Sequence, residues 1–380
     1  MESSIRPAFP PELQERLRYY ISERSGLYFK DHDLKGLEGA LLNRMASLGI
    51  DSALAYYTRL TSVEDREAEL RELLNLLTVN HTYFLRNDAQ FKALKQIILP
   101  EIIERKRRSC RSGDRPSLRI WSAGCSTGEE PYSIAMILDE VLTDPEVWDI
   151  QIIATDASTE ALSRAGRGLY NRNSVKTVEP ARLEKYFTEE IGPYREPAYR
   201  INDFLKKRVA FGFHNLMGEE FPVQLDVIFC RNVVIYFEFE TTLKIMNRLH
   251  ASLADEGYLA IGYSETLHYL SDKFRMVCWE EAIYYRKTAP GTVTAAVEAT
   301  PAASDNQIDR ILEALSREQV SMEIRTATAQ QEPLAQNIRE VLVEAAKCFH
   351  AKQYDRALAL AQQAAAADGS AAEPYYLAAE

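Results

Sequence analysis

The 380-residue sequence has little with which to cross-link itself or to hold a metal. Its five cysteines, Cys110, Cys125, Cys230, Cys278 and Cys348, are odd in number, scattered and without a Cys-x-x-Cys pair. That argues against a disulfide framework and against a structural zinc site. No His-based triad or metal cluster is evident, since His81 and His214 have no second ligand at metal spacing, and both are read as packing or turn residues. No apolar run reaches the roughly eighteen residues of a membrane span. The opening "MESSIRPAFPPELQERLRYY" also lacks the apolar centre of a signal peptide. No membrane insertion is therefore expected, and the cytoplasm is the expected location. Positive charge is not in excess either: 45 Lys and Arg face 56 Asp and Glu, for a net charge of −11. Nucleic acid is a poor default partner for such a chain.

What is present describes an ordinary globular protein, 46% hydrophobic and 27% charged, long enough for two or more cores. From Pro11 to about Leu85 apolar residues recur at helical spacing, with Gly26 and Gly49 at expected helix ends. Residues 1–87 thus read as a small all-helical domain. Residues 88–288 alternate between short β-rich runs and helical ones, which implies a parallel α/β sheet. The expected strands are "LRIWSA", "IQIIATD", "LDVIFCRN", "GYLAIG" and "AIYYRK". An inserted subdomain at about 169–211 interrupts the alternation.

Residues 289–335 read as a linker, on the small residues and prolines of "APGTVTAAVEATPAAS". Residues 336–380 are alanine-rich and helical, and their spacing resembles one tetratricopeptide repeat and the opening of a second. One such repeat cannot bury its apolar face alone. The sequence stops inside a repeat, so a longer, truncated protein is expected. Residues 289–380 carry 7 Lys and Arg against 13 Asp and Glu, more than half of the acidic excess.

The chemistry concentrates at strand ends. "LRIWSAGCSTGEEPY" has the form strand, glycine loop, helix, in which Gly124 and Gly128 let backbone approach a ligand. "IQIIATD" places Asp156 at the end of the next strand, where an acid can accept hydrogen bonds from both ribose hydroxyls of an adenosine-type ligand. That layout serves NAD and S-adenosylmethionine alike, and Asp156 could equally cap the following helix.

Five stretches, "WSAGCSTGEEPYSIAM", "ATDAS", "FHNLM", "DVIFCRNVVIYF" and "GYLAIGYSE", occur in the order and spacing of the bacterial chemotaxis receptor methyltransferases of the CheR type. The helical stretch ending "LLTVNHTYFLRND" resembles that family's N-terminal domain, and the resemblance covers residues 10 to 288. It implies a Rossmann-like S-adenosylmethionine-dependent methyltransferase sheet, a small all-α N-terminal domain, an inserted subdomain and here a C-terminal helical repeat segment. The activity implied is methyl transfer to glutamates on the cytoplasmic helices of a membrane chemoreceptor, releasing S-adenosylhomocysteine, with a protein partner for the repeats.

Position by position, the resemblance implies cofactor contacts from Asn80, Thr82 and Arg86, with Arg86 also beside the reacting centre. It implies Glu130 on the methionine ammonium, near Gly124, and Asp156 on the ribose. Asn215 and Leu216 would flank the adenine, Arg231 and Asn232 would close over the cofactor, and Tyr236 would lie near the methyl group. Singly, Arg86 could salt-bridge two domains, Asn215 could cap a turn and Tyr236 could be a core aromatic. Glu129 has no role in this reading. Two positions depart from the family: Leu85 replaces an aromatic, and Tyr263 a histidine. Lys35 and Arg44 are the only cations that "DLKGLEGALLNRMASLG" offers an acidic receptor. A signalling scaffold that binds the cofactor without robust transfer is the alternative.

Overall fold

The computed structural model describes residues 9–30, 33–111, 113–192, 196–262, 265 and 273–288, and the backbone of 297–299. The expected repeat, Tyr263 and all of the expected linker except the 297–299 backbone, which forms a short strand, lie outside the described residues. Four helices come first: α1 (Pro11–Ser25), α2 (Leu34–Leu48), α3 (Ala53–Thr61) and α4 (Arg66–Leu77). Gly26 and Gly49 end α1 and α2 in the left-handed region, at φ 79° and 65°. The periodicity reading did not single out α3, which starts where the Ser52 hydroxyl accepts the Ala55 N–H. Leu17, Ile21, Leu37, Leu41, Leu60 and Leu73 form the apolar core of these helices.

Within that core sits an ion pair. Arg44 bonds both carboxylate oxygens of Glu69, at 2.9 and 2.8 Å, and the Tyr56 hydroxyl donates to Glu69 at 2.8 Å. Burial and the neighbouring carboxylate push the Tyr56 pKa upward. The Arg44 side chain is 15% exposed and already bidentate with Glu69, so it adds little to the scant positive charge that this helix offers an acidic receptor.

The chain continues through α5 (Asp88–Ala93), a π-helical turn and α6 (Leu99–Ser109) into β1 (Ser117–Ala123), α7 (Glu129–Val141), β2 (Asp149–Asp156) and α8 (Thr159–Arg167). An excursion follows: β3 (Leu169–Asn171), α9 (Pro180–Tyr186), β4 (Phe187–Ile191), β5 (Pro197–Ile201) and α10 (Asp203–Lys206). Its three strands form a separate antiparallel sheet in the order β3-β5-β4. Then come β6 (Val209–Phe213), β7 (Leu225–Cys230), α11 (Phe239–Ser252), β8 (Leu253–Ile261), β9 (Phe274–Trp279), β10 (Ala282–Lys287) and β11 (Val297–Ala299).

The main sheet has the order β11-β9-β10-β8-β7-β1-β2-β6. Strands β8, β7, β1, β2 and β6 are parallel, whereas β10 runs antiparallel to both of its neighbours, β8 and β9, so the sheet is mixed rather than parallel throughout. Only Glu280 and Glu281 separate β9 from β10, and Glu280 takes φ 48°. Two residues can turn a hairpin but cannot make a parallel crossover. Strand β6 pairs with β2 from Val209 onward, so the main sheet resumes two residues before the expected end of the insert. Strand β7 is buried along its whole length, as expected of a strand covered on both faces.

Three contacts fasten the helices to the sheet edge. Asn75 of α4 accepts hydrogen bonds from the Ser158 hydroxyl (3.0 Å) and the Glu160 N–H (3.1 Å) at the start of α8. Asn215 donates to the Arg24 carbonyl at 2.8 Å, and the Tyr28 N–H donates to the Tyr236 carbonyl at 2.8 Å. Removing one member of a buried ion pair strands the other, at about 3 kcal/mol or more. Glu69→Ala is accordingly expected to lower the unfolding free energy by about that amount in urea denaturation; a loss under about 1 kcal/mol would place the pair's worth at the level of a surface contact.

Candidate active site

The carboxyl ends of β1, β2, β7 and β8 point to one side, where an open α/β sheet holds its ligands. Two adjoining cavities lie there, sharing Val79, Gly124, Ser126 and Asn232 as walls. The smaller, about 460 Å³, is bordered by Thr82, Arg86, Phe91, Glu130 and Arg231. The larger, about 740 Å³, is bordered by Asn80, Asp156, Asn215, Leu216, Val233 and Tyr236. All the residues expected from sequence therefore line one continuous cleft. Tyr236 borders the larger cavity and not the smaller.

The glycine turn after β1 is shaped by sterics. Gly124 takes φ 77°, and a Cβ there would lie 2.5 Å from Val233 Cγ2. Gly128 takes φ 95°, and a Cβ there would meet Ala165 at 2.8 Å and the Tyr170 hydroxyl at 3.0 Å. The room behind both glycines is thus taken by protein side chains. It is the backbone of Gly124 that faces the cleft, while Gly128 serves the packing of α7 on α8.

Glu130, in the first turn of α7, accepts the Ser122 hydroxyl at 2.7 Å and lies 3.5 Å from an Arg231 guanidinium nitrogen. Burial raises its pKa, opposed by Arg231, Ser122 and Arg86. The Arg231 side chain is 1% exposed, yet its Nε and Nη1 have no hydrogen-bond partner among the described residues. Its other nitrogen donates to the Arg86 carbonyl, and the guanidinium lies 5.2 Å over the Phe91 ring. A buried cation left partly unsatisfied beside a carboxylate suits a zwitterion, with the ammonium toward Glu130 and the carboxylate toward Arg231.

Asp156, at the end of β2, accepts the N–H of Ser126 on one oxygen and that of Ser158 on the other, both at 2.8 Å. Burial raises its pKa against those bonds. Each carboxylate oxygen keeps a free lone pair for a hydroxyl donor. The helix cap considered for Asp156 belongs instead to Ser158, whose hydroxyl accepts the Ala161 N–H at 3.1 Å. Asn215 has both ends of its amide engaged, donating to Arg24 and accepting the Met217 N–H at 3.0 Å. A second N–H and a second lone pair of that amide remain, with the backbone and the Leu216 side chain, for a ligand at 215–216. Asn80 accepts the Ser126 hydroxyl at 3.3 Å.

The junction carrying Arg86 is held from three sides. Phe84 N–H donates to the Ser174 carbonyl at 2.9 Å, Leu85 N–H to the Ser133 hydroxyl at 2.9 Å, and the Thr177 hydroxyl to the Phe84 carbonyl. Leu85 and Asn87 take φ 54° and 62°, a conformation that costs a non-glycine residue roughly 1 kcal/mol or more. Arg86 donates to the His81 carbonyl at 3.0 Å and makes no interdomain salt bridge among the described residues. Glu129, without a role in the sequence reading, is buried and accepts the hydroxyls of Thr127 (2.6 Å) and Ser174 (3.0 Å). It ties the glycine turn to the segment that supports Phe84. His214 packs edge-on against Trp121 and Phe221, as a packing histidine should.

Sequence reasoning missed Ser122, Ser126, Ser133, Phe91 and Glu265, the last of which lies inside the quoted "GYSE". A third basin, at the amino end of β1, has two of its three arginines engaged: Arg107 with Asp144, and Arg115 with the carbonyls of Glu146 and Trp148. No helix among the described residues is long and apolar enough to cross a membrane.

A glycine turn after β1, an acid at the end of β2 and a cleft over the carboxyl edge define an α/β protein of the nucleoside-cofactor class. Comparison with known families specifies the cofactor. Residues 80–283 match the CheR methyltransferase SAM-binding domain, and residues 14–78 match the CheR methyltransferase all-alpha domain. The chain belongs to the CheR methyltransferase family and is a methyltransferase dependent on S-adenosylmethionine. It is similar to the chemotaxis protein methyltransferase of Escherichia coli K12, at 35% identity over 69% of this chain and 86% of that one. Chemotaxis protein methyltransferase 2 of Vibrio cholerae is 33% identical over 73% and 93% of the two chains. Chemotaxis protein methyltransferase 1 of Pseudomonas aeruginosa is 34% identical over 72% and 96%. A solved DhpI–SAM–HEP complex aligns with 60% of this chain and 82% of its own at 11% identity and a TM-score of 0.25.

Gly124→Ala is expected to lower the melting temperature and weaken S-adenosylhomocysteine binding, because the new methyl meets Val233 in a left-handed backbone. Adding Val233→Ala to that variant should recover part of the binding loss; a Gly124→Ala protein with unchanged melting and affinity would contradict the steric account.

Proposed function

We propose that the chain methylates glutamate side chains on the cytoplasmic helices of a membrane chemoreceptor, with the cleft residues in the following roles. Glu130 holds the ammonium of S-adenosylmethionine and Arg231 its carboxylate. Asp156 takes the ribose hydroxyls, Asn215 and Leu216 flank the adenine, and Asn80, Thr82, Gly124 and Asn232 wall the space between. Bound there, the cofactor supplies an electrophilic methyl on a sulfonium. The observation that carries this reading is the buried, partly unsatisfied Arg231 beside Glu130, at the end of the cleft away from Asp156.

A glutamate acceptor is ionised at neutral pH, since its ordinary pKa is about 4.3, so no general base is needed. The protein's task is to strip water from the carboxylate and align it. Arg86 borders the smaller cavity, and we assign it the positioning of the acceptor as well as a cofactor contact. Tyr236 closes the cleft from the side of Asp156, and we assign it to the wall near the transferred methyl. Lys176 lies 4.5 Å over the ring of Tyr83, which borders the smaller cavity. It adds a cation on the approach of an acidic receptor helix. The alanine-rich segment 336–380, if it folds as a tetratricopeptide repeat, recruits a protein partner.

Incubation with labelled cofactor and receptor should leave an alkali-labile methyl ester on receptor glutamates. None at saturating cofactor would defeat the proposal. Arg86→Ala should lower kcat by roughly 100-fold, as for loss of one donor at a reacting centre; normal turnover would remove its role. Glu130→Gln should weaken cofactor binding by roughly 10- to 100-fold, the worth of a charged hydrogen bond. Because the ammonium needs Glu130 ionised, affinity should fall as the pH drops through the Glu130 pKa, which burial raises above the ordinary glutamate value. Glu130→Gln should remove that component of the pH dependence, as measured by calorimetric titration across pH; an unchanged profile would contradict the assignment.

A further inference from the structure

The segment after β7, residues 231–236, supplies Arg231, Asn232, Val233 and Tyr236 to the cleft, yet its own backbone donors point away from it. The N–H groups of Asn232, Val233, Val234 and Ile235 all reach the Glu265 carboxylate, at 3.0, 3.1, 3.0 and 3.3 Å. The Gly262 N–H joins them. Glu265 is 8% exposed and has no cationic side chain paired with it among the described residues. Its charge is met by five backbone dipoles, which form an anion-binding nest. Burial raises its pKa, and the backbone donors oppose the rise.

A second observation concerns Gly262. A Cβ there would lie 2.7 Å from the Glu265 carboxylate and 2.9 Å from the Asn232 side-chain amide. Glycine thus leaves the space through which a carboxylate that follows β8 reaches the loop that follows β7. These two strands are parallel neighbours, with Cys230 opposite Ile261 at their ends. Asn232, the first residue held, takes φ 57°. A non-glycine residue stays in that region only where its surroundings over-determine it. Val233, the second, is the side chain against which Gly124 is shaped.

We infer that Glu265 is a positioning residue for the methyltransferase site: its carboxylate, clasped by the N–H groups of 232–235 and 262, holds segment 231–236 in its cofactor-receiving shape before the cofactor arrives. The inference rests on the cofactor roles proposed above for that segment. Its consequence is that Arg231 and Asn232 do not close over the cofactor but stand ready for it, which lowers the ordering cost of binding.

The test uses the full chain. Glu265→Gln turns one acceptor oxygen into an NH₂ that faces N–H donors. It should weaken S-adenosylhomocysteine binding at least tenfold by calorimetry and raise KM for the cofactor, leaving KM for the receptor unchanged. Glu265→Asp keeps the charge on a shorter arm and should recover part of the loss, which a mere loss of packing would not allow. In the unaltered, cofactor-free chain, hydrogen exchange should find the amides of 232–235 already protected. Equal affinity in Glu265→Gln overturns the inference, and so does fast exchange that slows only when S-adenosylhomocysteine is added. If Glu265→Gln does not fold, the exchange pattern of the unaltered chain decides between the two outcomes. Failure of the unaltered chain to bind S-adenosylhomocysteine defeats the proposed function instead, a result distinct from both.

Discussion

A buried guanidinium without a full set of partners is the constraint around which the cleft is built. Removing Arg231 from water costs several kcal/mol unless its charge and donors are met. The described residues meet them in part, through Glu130 at 3.5 Å, the Arg86 carbonyl and the face of Phe91. Those three partners come from α7, the interdomain junction and α5, so one side chain draws three elements to the end of β7. Arg231 borders the smaller cavity, where the methionine end of the cofactor is assigned.

The rest of the site stabilises that arrangement without touching a ligand. Asn75, Asn215 and Tyr28 fasten the helical region to the strand ends, so Asn80, Thr82 and Arg86 project from a junction held at both sides. Glu129 and Ser174 brace the glycine turn against the support of Phe84. Leu85, Asn87 and Asn232 all sit in the left-handed region around the cleft. Their conformational cost is offset by hydrogen bonds that leave each little alternative. A methyl transfer that needs no general base depends on alignment, and these supports provide it.

Much of this was legible in the sequence, for reasons that differ by element. Strands β1, β2, β7 and β8 announce themselves because buried parallel strands need unbroken apolar runs. Strand β9 was not recognised, since its turn uses Glu280 and Glu281 where glycine or asparagine usually gives the signal. Asp156 could be placed from its spacing to the glycine turn and the strand end, and Glu130 through the family resemblance of "GEEP". The steric purposes of Gly124 and Gly128 could not, because Val233, Ala165 and Tyr170 lie far away in sequence. Asn215 borders the cleft, and its amide also holds a turn and the Arg24 carbonyl, contacts that no local pattern announces. Glu265 was hardest to foresee: its partners are backbone N–H groups some thirty residues away, and every non-proline residue carries the same donor.

The central claim is that one cleft reads the cofactor from end to end, with the methionine at Arg231 and Glu130 and the ribose at Asp156. A crystal structure of the full chain with S-adenosylhomocysteine tests it most directly. The account predicts the ammonium against Glu130, the carboxylate against Arg231 and the ribose hydroxyls against Asp156, with residues 231–236 in the conformation described above. Cofactor bound in the reverse direction, or bound outside this cleft, would contradict it.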